Sequence, residues 1–244
     1  MVKLVGRNYQ ARHEGAMQER IDERKTYAIS MFADFLESLR AERPSVRLAA
    51  DRSAKGGQTV AAILKATRAV FVREGHAGLT MRMVAEEAGI VVGNISYYFQ
   101  TKRELLEAML REELADYVEA HVKQFEPDGQ DPMEILLNVV EFYVQNGRSS
   151  YRFFYQMWGY AGSENYAREL VRDLYRPIGR FIYRLVKAAN PSLDHTQIRR
   201  IVLQIFCLEE GMKLFIGMGP DDDVALLDAE ADIRDLTRRI VESG

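Results

Sequence analysis

Two stretches of this 244-residue chain carry side chains with chemistry to offer. The first is residues 89–99, GIVVGNISYYF, with Lys102 just beyond. Val92, Gly93 and Asn94 are small enough to let a backbone approach another surface. The Asn94 amide donates and accepts at once, so it can bind a partner at two points. The plainer reading of Asn94 is a turn-favouring residue on a solvated surface. The second stretch is residues 151–160, YRFFYQMWGY, which packs Tyr151, Phe154, Tyr155, Met157 and the single tryptophan, Trp158, into eight positions. Phe142, Tyr143, Phe206 and Met212 lie on segments able to face it. Such residues form an ordinary core, or line an adaptable apolar pocket. Glu209 and Glu210 interrupt an otherwise apolar helical segment. One of them can face a pocket as an acceptor or as the counter-charge of a cation, or both are simply solvated.

Catalytic chemistry has no such foothold. There is no glycine-rich nucleotide loop, no G-x-S-x-G and no H-E-x-x-H. His13, His76, His121 and His195 are far apart, and Cys207 is the only cysteine, so no zinc set is evident. Asp221, Asp222 and Asp223 suit a helix start. Glu209 and Glu210 are about 100° apart on a helix and would not converge as an acid/base pair. No catalytic residue, metal or cofactor is expected.

The elements that must position these residues read as helices. Apolar residues at helical spacing mark residues 15–42, stopped by Pro44, and then a polar linker. Val60, Ile63, Leu64, Val70 and Phe71 form the stripe of a helix over residues 58–74, with Gly75 at its end. Thr80 caps the next, which Gly89 stops. Thr101 and Glu104 form a capping box for a helix running past residue 115. Asp131, Pro132 and Glu134 start a helix expected to end at Asn146-Gly147. Residues 151–160 form a short aromatic helix. A long helix covers 164–189, with Pro177 expected to kink or break it. Asp194 caps a strongly apolar one, and a last helix spans residues 222–242.

Residues 89–99 are the exception. Ile90, Val91 and Val92 are β-branched, and Gly93-Asn94 is a good two-residue hairpin turn. Yet nothing else in the chain looks like strand, and a lone hairpin is marginal in water. Tertiary context therefore favours a short helix over residues 92–98, set against the Thr80-capped helix as a helix-turn-helix.

Bulk properties fit a globular protein, with 47% hydrophobic and 28% charged residues. No apolar run approaches the ~20 residues of a membrane span. The first residues lack the apolar core of a secretory signal, and one cysteine in an apolar setting excludes a disulfide framework, so a cytoplasmic protein is expected. The net charge of −3 conceals a gradient: +3 over residues 1–56, +2 over 57–111 and −8 over 112–244. A mildly basic front ahead of an acidic remainder suits a front end that meets a polyanion.

Residues 79–110, LTMRMVAEEAGIVVGNISYYFQTKRELLEAML, resemble the DNA-binding segment of the tetracycline-repressor (TetR) family of bacterial transcription regulators. The matching features are Thr80–Arg82, Ala85, Ala88-Gly89, Gly93, Ile95, Tyr97-Tyr98-Phe99, Lys102 and Glu104-Leu105-Leu106. The resemblance implies an all-α chain: an N-terminal extension over 1–56, a helix-turn-helix DNA-binding domain over 57–104, and a helical ligand-binding and dimerisation domain over 105–244. It implies a homodimer on double-stranded operator DNA, most simply a repressor released by a small apolar or amphipathic effector. An activator, or a ligand-binding helical protein of the same fold, is the alternative. By family position, Thr80, Arg82, Tyr97, Tyr98 and Lys102 would meet phosphates, while Val92, Gly93, Asn94 and Ser96 would face bases. Asn94 would pair with adenine and Val92 with a thymine methyl. Lys102 opposes the dipole of its own helix, which a docked phosphate would reverse; otherwise it is a surface lysine. Phe142, Phe154, Tyr155, Trp158, Phe206, Glu209 and Met212 would line the effector pocket. The extension would be an accessory helix, a dimer contact or a basic arm. Two positions depart from the family: Val91 stands where a capping Ser is common, and Ser96 where a Tyr is. Losing a cap costs ~1 kcal/mol, so the helix is expected to be loosely formed before DNA binds.

Overall fold

The computed structural model describes residues 54–124, 131–220 and 222–244. The helix expected over 15–42 and most of the linker after it lie outside the described residues. Among the described residues there are nine helices and no strand: α1 (Ala54–Gly78), α2 (Met81–Ala88), α3 (Val92–Tyr98), α4 (Lys102–Gln124), α5 (Pro132–Ser163), α6 (Asn165–Ala189), α7 (His195–Met218), α8 (Val224–Leu227) and α9 (Ala229–Ser243). None is long and apolar enough to cross a membrane.

Residues 92–98 are helical, and the reason is burial. Thr80 caps α2 by accepting from the Met83 backbone N–H at 3.2 Å. Gly89 then takes φ 67°, the left-handed conformation that suits glycine, and closes the helix on the carbonyls of Ala85 and Glu86. That turn swings α3 across α2. Ile95 becomes fully buried and Phe99 nearly so, within one core formed with Ile63, Phe71, Val84 and Leu106. Burying an isoleucine contributes about 1.5–3 kcal/mol. The whole β-propensity scale spans only ~1 kcal/mol. The helix forms although Val91 supplies no side-chain cap.

Most caps follow the sequence, but Asp131 stands at the start of α5 without a side-chain cap hydrogen bond. Thr101 accepts from the Glu104 N–H at 3.1 Å, but the Glu104 carboxylate reaches back to the Gln100 N–H rather than to Thr101. Asp194 forms a full capping box with Gln197. α1 begins at Ala54, ahead of its expected start, and Gly75 departs from helical geometry where the stop was expected.

Two boundaries differ, and one expected break is absent. Asn146-Gly147 does not end a helix: α5 runs unbroken for 32 residues through the aromatic stretch. Gly147 is instead where α7 crosses, since a Cβ there would lie 2.8 Å from the Lys213 side chain. Pro177 lies within α6 without breaking it. The lost hydrogen bond is offset by burial of Ile178, Phe181, Ile182 and Leu185 just beyond. The last expected helix is two, with α8 capped by Asp223 and α9 starting after Asp228.

α5 carries both cores. Its first half buries Leu136, Val140 and Val144 with residues of α6, α7 and α9. Its second half adds Phe153, Met157 and Tyr160 to the core that also contains α1 to α4. Ion pairs fasten α9 along α5: Arg234 to Glu134 and Glu141 at 2.9 and 2.7 Å, Arg238 to Glu134 at 2.8 Å, and Arg148 to Glu230 at 2.6 Å. In urea unfolding, Ile95→Ala should cost about 2–5 kcal/mol as the anchor of α3 is lost. Thr80→Ala should cost about 1 kcal/mol. A neutral Ile95→Ala would show that α3 is not held by that contact.

Candidate functional site

The front of the molecule presents α3. Around buried Ile95, residues Val92, Gly93, Asn94, Ser96 and Tyr97 are all exposed, and Val91 is 68% exposed. Exposed valines on so short a helix form an apolar surface that none of the described residues covers. Gly93 sharpens the point. It is helical, and a Cβ there would meet nothing within 4 Å. Glycine in a helix costs ~0.5–1 kcal/mol against alanine, and internal packing gives no reason for it.

The charged and hydroxyl groups flank this surface. Arg82 is exposed and bonds Glu86 at 3.0 Å, an exchangeable surface pair. Thr80 accepts as a cap and keeps its own O–H to donate. Ser96 turns back to the Val92 carbonyl at 3.3 Å. Tyr97 is exposed, Tyr98 half-buried, and their rings meet edge to face at 5.0 Å. The Lys102 ammonium donates to the Ala77 carbonyl, 3.4 Å away, in the last turn of α1. Contact with a helix C-terminus offsets its unfavourable place at the start of α4. Burial lowers its pKa, and two N–H groups remain for another acceptor.

Behind this head lies a cavity of 290 Å³. Arg68 of α1 and Glu113, Asp116 and Tyr117 of α4 form one wall. Tyr143, Phe153, Phe154 and Met157 of α5 form the second, with Asn146 and Ser150. Tyr175 and Ile178 of α6 and Phe206, Glu209, Glu210 and Lys213 of α7 complete it. The Tyr117 ring stacks on Tyr143 at 5.2 Å, and its hydroxyl donates to the Tyr143 carbonyl. Arg68 pairs with Glu113 at 2.5 Å. Burial raises the Glu113 pKa, with Arg68 opposing.

A polar chain runs along the α6–α7 side. Trp158 Nε1 donates to the Tyr175 hydroxyl at 3.5 Å, Tyr175 donates to Glu210 at 2.8 Å, and Lys213 Nζ meets the same Glu210 oxygen at 3.3 Å. The Lys213 ammonium also lies 4.4 Å from the centre of the Phe154 ring. Glu209 is 1% exposed, and its Oε1 has no hydrogen-bond partner. Burial pushes its pKa up to about 8, with Lys213 opposing and Glu210 adding to the rise. Burial also raises Tyr117, Tyr143 and Tyr175, so the cavity's phenols are neutral near pH 7.

Of the seven residues expected to line a pocket, Phe154, Phe206 and Glu209 face this cavity. The other four are outside its lining. Phe142 is buried behind Tyr117. Tyr155 donates its hydroxyl to the Leu214 carbonyl where α5 crosses α7. Met212 packs against the core of the body. Trp158 sits one ring back, behind Tyr175. Sequence reasoning missed Arg68, Tyr117, Tyr175 and Lys213. A usable signal existed for Lys213: it follows Glu209 by four residues and Glu210 by three on an apolar helix, so all three share a face.

Comparison with known proteins agrees with this architecture. Residues 63–109 match the family described as bacterial regulatory proteins, tetR family. No curated protein matches the sequence. Among solved structures, a TetR transcription regulator from Haloarcula marismortui superposes with a TM-score of 0.62 at 16% identity, over 77% of this chain and 98% of that one. A transcriptional regulator from Saccharomonospora viridis in complex with choline gives 0.61 at 17%, over 76% and 96%. The regulator FadR from Bacillus subtilis in complex with stearoyl-CoA gives 0.63 at 15%, over 75% and 98%. Residues 63–109 thus match the domain that defines bacterial regulatory proteins of the tetR family, and the chain shares the all-helical fold of these solved transcription regulators.

Proposed function

We propose that this DNA-binding regulator is a cytoplasmic homodimeric repressor, released from its operator by a small molecule that enters the 290 Å³ cavity. One observation carries the reading: the cavity wall includes Arg68 of α1 and Glu113, Asp116 and Tyr117 of α4. The same two helices pack around α2 and α3, so a ligand pressing on that wall presses on the frame of the DNA-reading head. Two heads of this motif read half-sites about 34–36 Å apart, or a multiple of that. A ligand that favours another separation lowers operator affinity by its preference for that state. The similar structures hold choline and stearoyl-CoA, so the fold by itself does not choose the effector. DNA selected by the full-length protein from a random duplex pool supplies the operator for testing. An effector should change Trp158 emission, since Trp158 touches Tyr175 of the wall, and should release that DNA over the same concentration range. Operator DNA must weaken effector binding by the same factor. An emission change with no loss of DNA would sink the release mechanism.

On the DNA side, Gly93 and Asn94 approach the bases and Lys102 holds a phosphate. Gly93→Ala should stabilise the fold by about 0.5–1 kcal/mol yet weaken operator binding, because the added methyl meets DNA and nothing else. Asn94→Ala should lose discrimination at one base pair by about 1–3 kcal/mol. Lys102→Ala should weaken binding to all sequences and lower the salt slope by about one. Wild-type DNA binding in all three would place the interface elsewhere.

The dimer face we propose is α7. Leu203, Cys207, Gly211, Phe215 and Met218 follow one another at helical spacing on one side of it, with Leu203, Phe215 and Met218 59–64% exposed. α9 offers no such stripe, since its apolar residues Ala229, Ile233 and Val241 are buried within the chain. Leu203→Glu combined with Phe215→Glu should yield a folded monomer in sedimentation, with operator affinity lowered to that of one half-site. A double variant that remains dimeric would move the interface off this stripe.

A further inference from the structure

The cavity's charges are not balanced among themselves. Its two basic side chains each have a carboxylate: Arg68 has Glu113 at 2.5 Å, and Lys213 has Glu210 at 3.3 Å. Of the other two carboxylates in the wall, Asp116 is exposed to solvent, and Glu209 is 1% exposed, with Oε1 unpartnered in a cavity walled by aromatic rings; the second oxygen of Glu210 is unpartnered as well, but Glu210 already holds Lys213 and Tyr175. A buried carboxylate without a hydrogen-bond partner is costly unless it stays protonated or meets a positive charge. The rings around it are suited to the second case. Tyr117 and Tyr143 stack on one side, Phe154 joins them, and Tyr175 and Phe206 meet edge to face at 5.7 Å on the other. The Lys213 ammonium already lies over Phe154, as a cation does on a π-face.

We infer that the cavity takes a monovalent organic cation, a quaternary ammonium or protonated amine with an apolar body, and that Glu209 is its counter-charge. This rests on the reading that the cavity is the effector site. An anionic ligand would bring a second negative charge beside Glu209 and Glu210. A purely apolar one would leave the Glu209 oxygen unpartnered.

Proton linkage follows with a definite sign. In the empty cavity burial pushes Glu209 up to about 8. The groups facing it are Glu210 and Lys213 on α7, Tyr117 on α4, Tyr143 on α5 and Tyr175 on α6. The three phenols stay neutral across this range. Lys213 and Glu210 form an ion pair, and Glu113, also raised by burial, is opposed by its ion pair with Arg68; the Glu209→Gln variant below tells the Glu209 proton from the Glu113 one. A bound cation favours the ionised form of Glu209, so the proton on Glu209 passes to solvent as the cation enters. Affinity for the cation therefore rises with pH up to about 8 and levels off above it.

The test uses two probes of one shape, benzyltrimethylammonium and its neutral carbon isostere neopentylbenzene, with decanoate as the anion. Binding is read by Trp158 fluorescence and by calorimetry in two buffers of different ionisation enthalpy, on the full-length dimer without DNA. The ammonium should bind at least tenfold more tightly than the isostere and release close to one proton near pH 7. Glu209→Gln should abolish both the preference and the proton release while binding the isostere as before. Equal affinity for the two shapes, tighter binding of decanoate, an ammonium that releases no proton, or no binding by any probe would each overturn the assignment. The comparison of probes on the wild-type protein stands even if Glu209→Gln folds poorly. Adding operator DNA separates the two proposals: an ammonium that binds as stated but leaves DNA bound refutes the effector role and keeps the ligand class.

Discussion

α5 must cover apolar surface along its entire length. At ~1.5 Å per residue its 32 residues span about 48 Å, more than the width of one small core. Its first half is satisfied by α6, α7 and α9, and its second half by α1, α4 and the start of α6. Of these helices only α6 has buried residues at both ends, with Leu170 in one core and Ile182 in the other. The two cores therefore share two rigid elements, α5 and α6, and the DNA-reading head cannot be a bead on a flexible string. Phe71 meets Phe153 edge to face at 5.9 Å, and His76 stacks on Tyr160 at 4.8 Å while its Nε2 lies 3.0 Å from the Ser163 hydroxyl. These contacts set the angle between head and body.

The cavity sits near the place where the two cores meet along α5, and its polarity follows from that position. A gap between packed helices lined only by Leu and Ile would tend to collapse or stay dry and indifferent. Here the gap is bounded by groups that cannot close on one another. Two stacked tyrosines, an arginine–glutamate pair and the Trp158–Tyr175–Glu210–Lys213 chain each hold a fixed arrangement. Buried polar groups with partners rigidify a site, and the oxygens without one, among them Glu209 Oε1, stay open to the cavity. Glu209 and Glu210 are neighbours in sequence, yet only one is committed to the protein.

How much of this was legible in the sequence depended on whether the signal was local. Thr80, Gly89 and Asp194 act within a few residues of themselves, so their caps and stops were readable. The helix over 92–98 was readable only against its local propensity, because Ile95 and Phe99 are held by residues thirty positions away in α1. The end assigned to Gly147 failed for a related reason: a glycine that admits a crossing helix looks, in one dimension, like a glycine that ends one. The aromatic cluster borders the cavity, but rotation about α5 decides which ring faces the gap. Phe154 faces it, while Tyr155 turns to the Leu214 carbonyl and Trp158 stands behind Tyr175. That rotation is set by α7 crossing at Gly147 and Gly217, where a Cβ would strike Lys213 and Tyr155 respectively. None of this is encoded near residue 154.

α3 has little stability of its own. It is seven residues long, lacks a side-chain cap, includes a glycine, and buries only Ile95. Isolated helices shorter than ~12–15 residues are marginal in water, so its orientation is inherited from what Ile95 and Phe99 touch. Those partners lie on α1, α2 and α4. Two of these three helices also border the cavity, through Arg68 and through the α4 residues 110–117. A displacement of that wall would therefore carry α3 as a unit rather than melt it. A short, weakly self-stabilised helix is thus seated on two helices that also wall the cavity, so the packing of α3 and the shape of the cavity depend on the same elements.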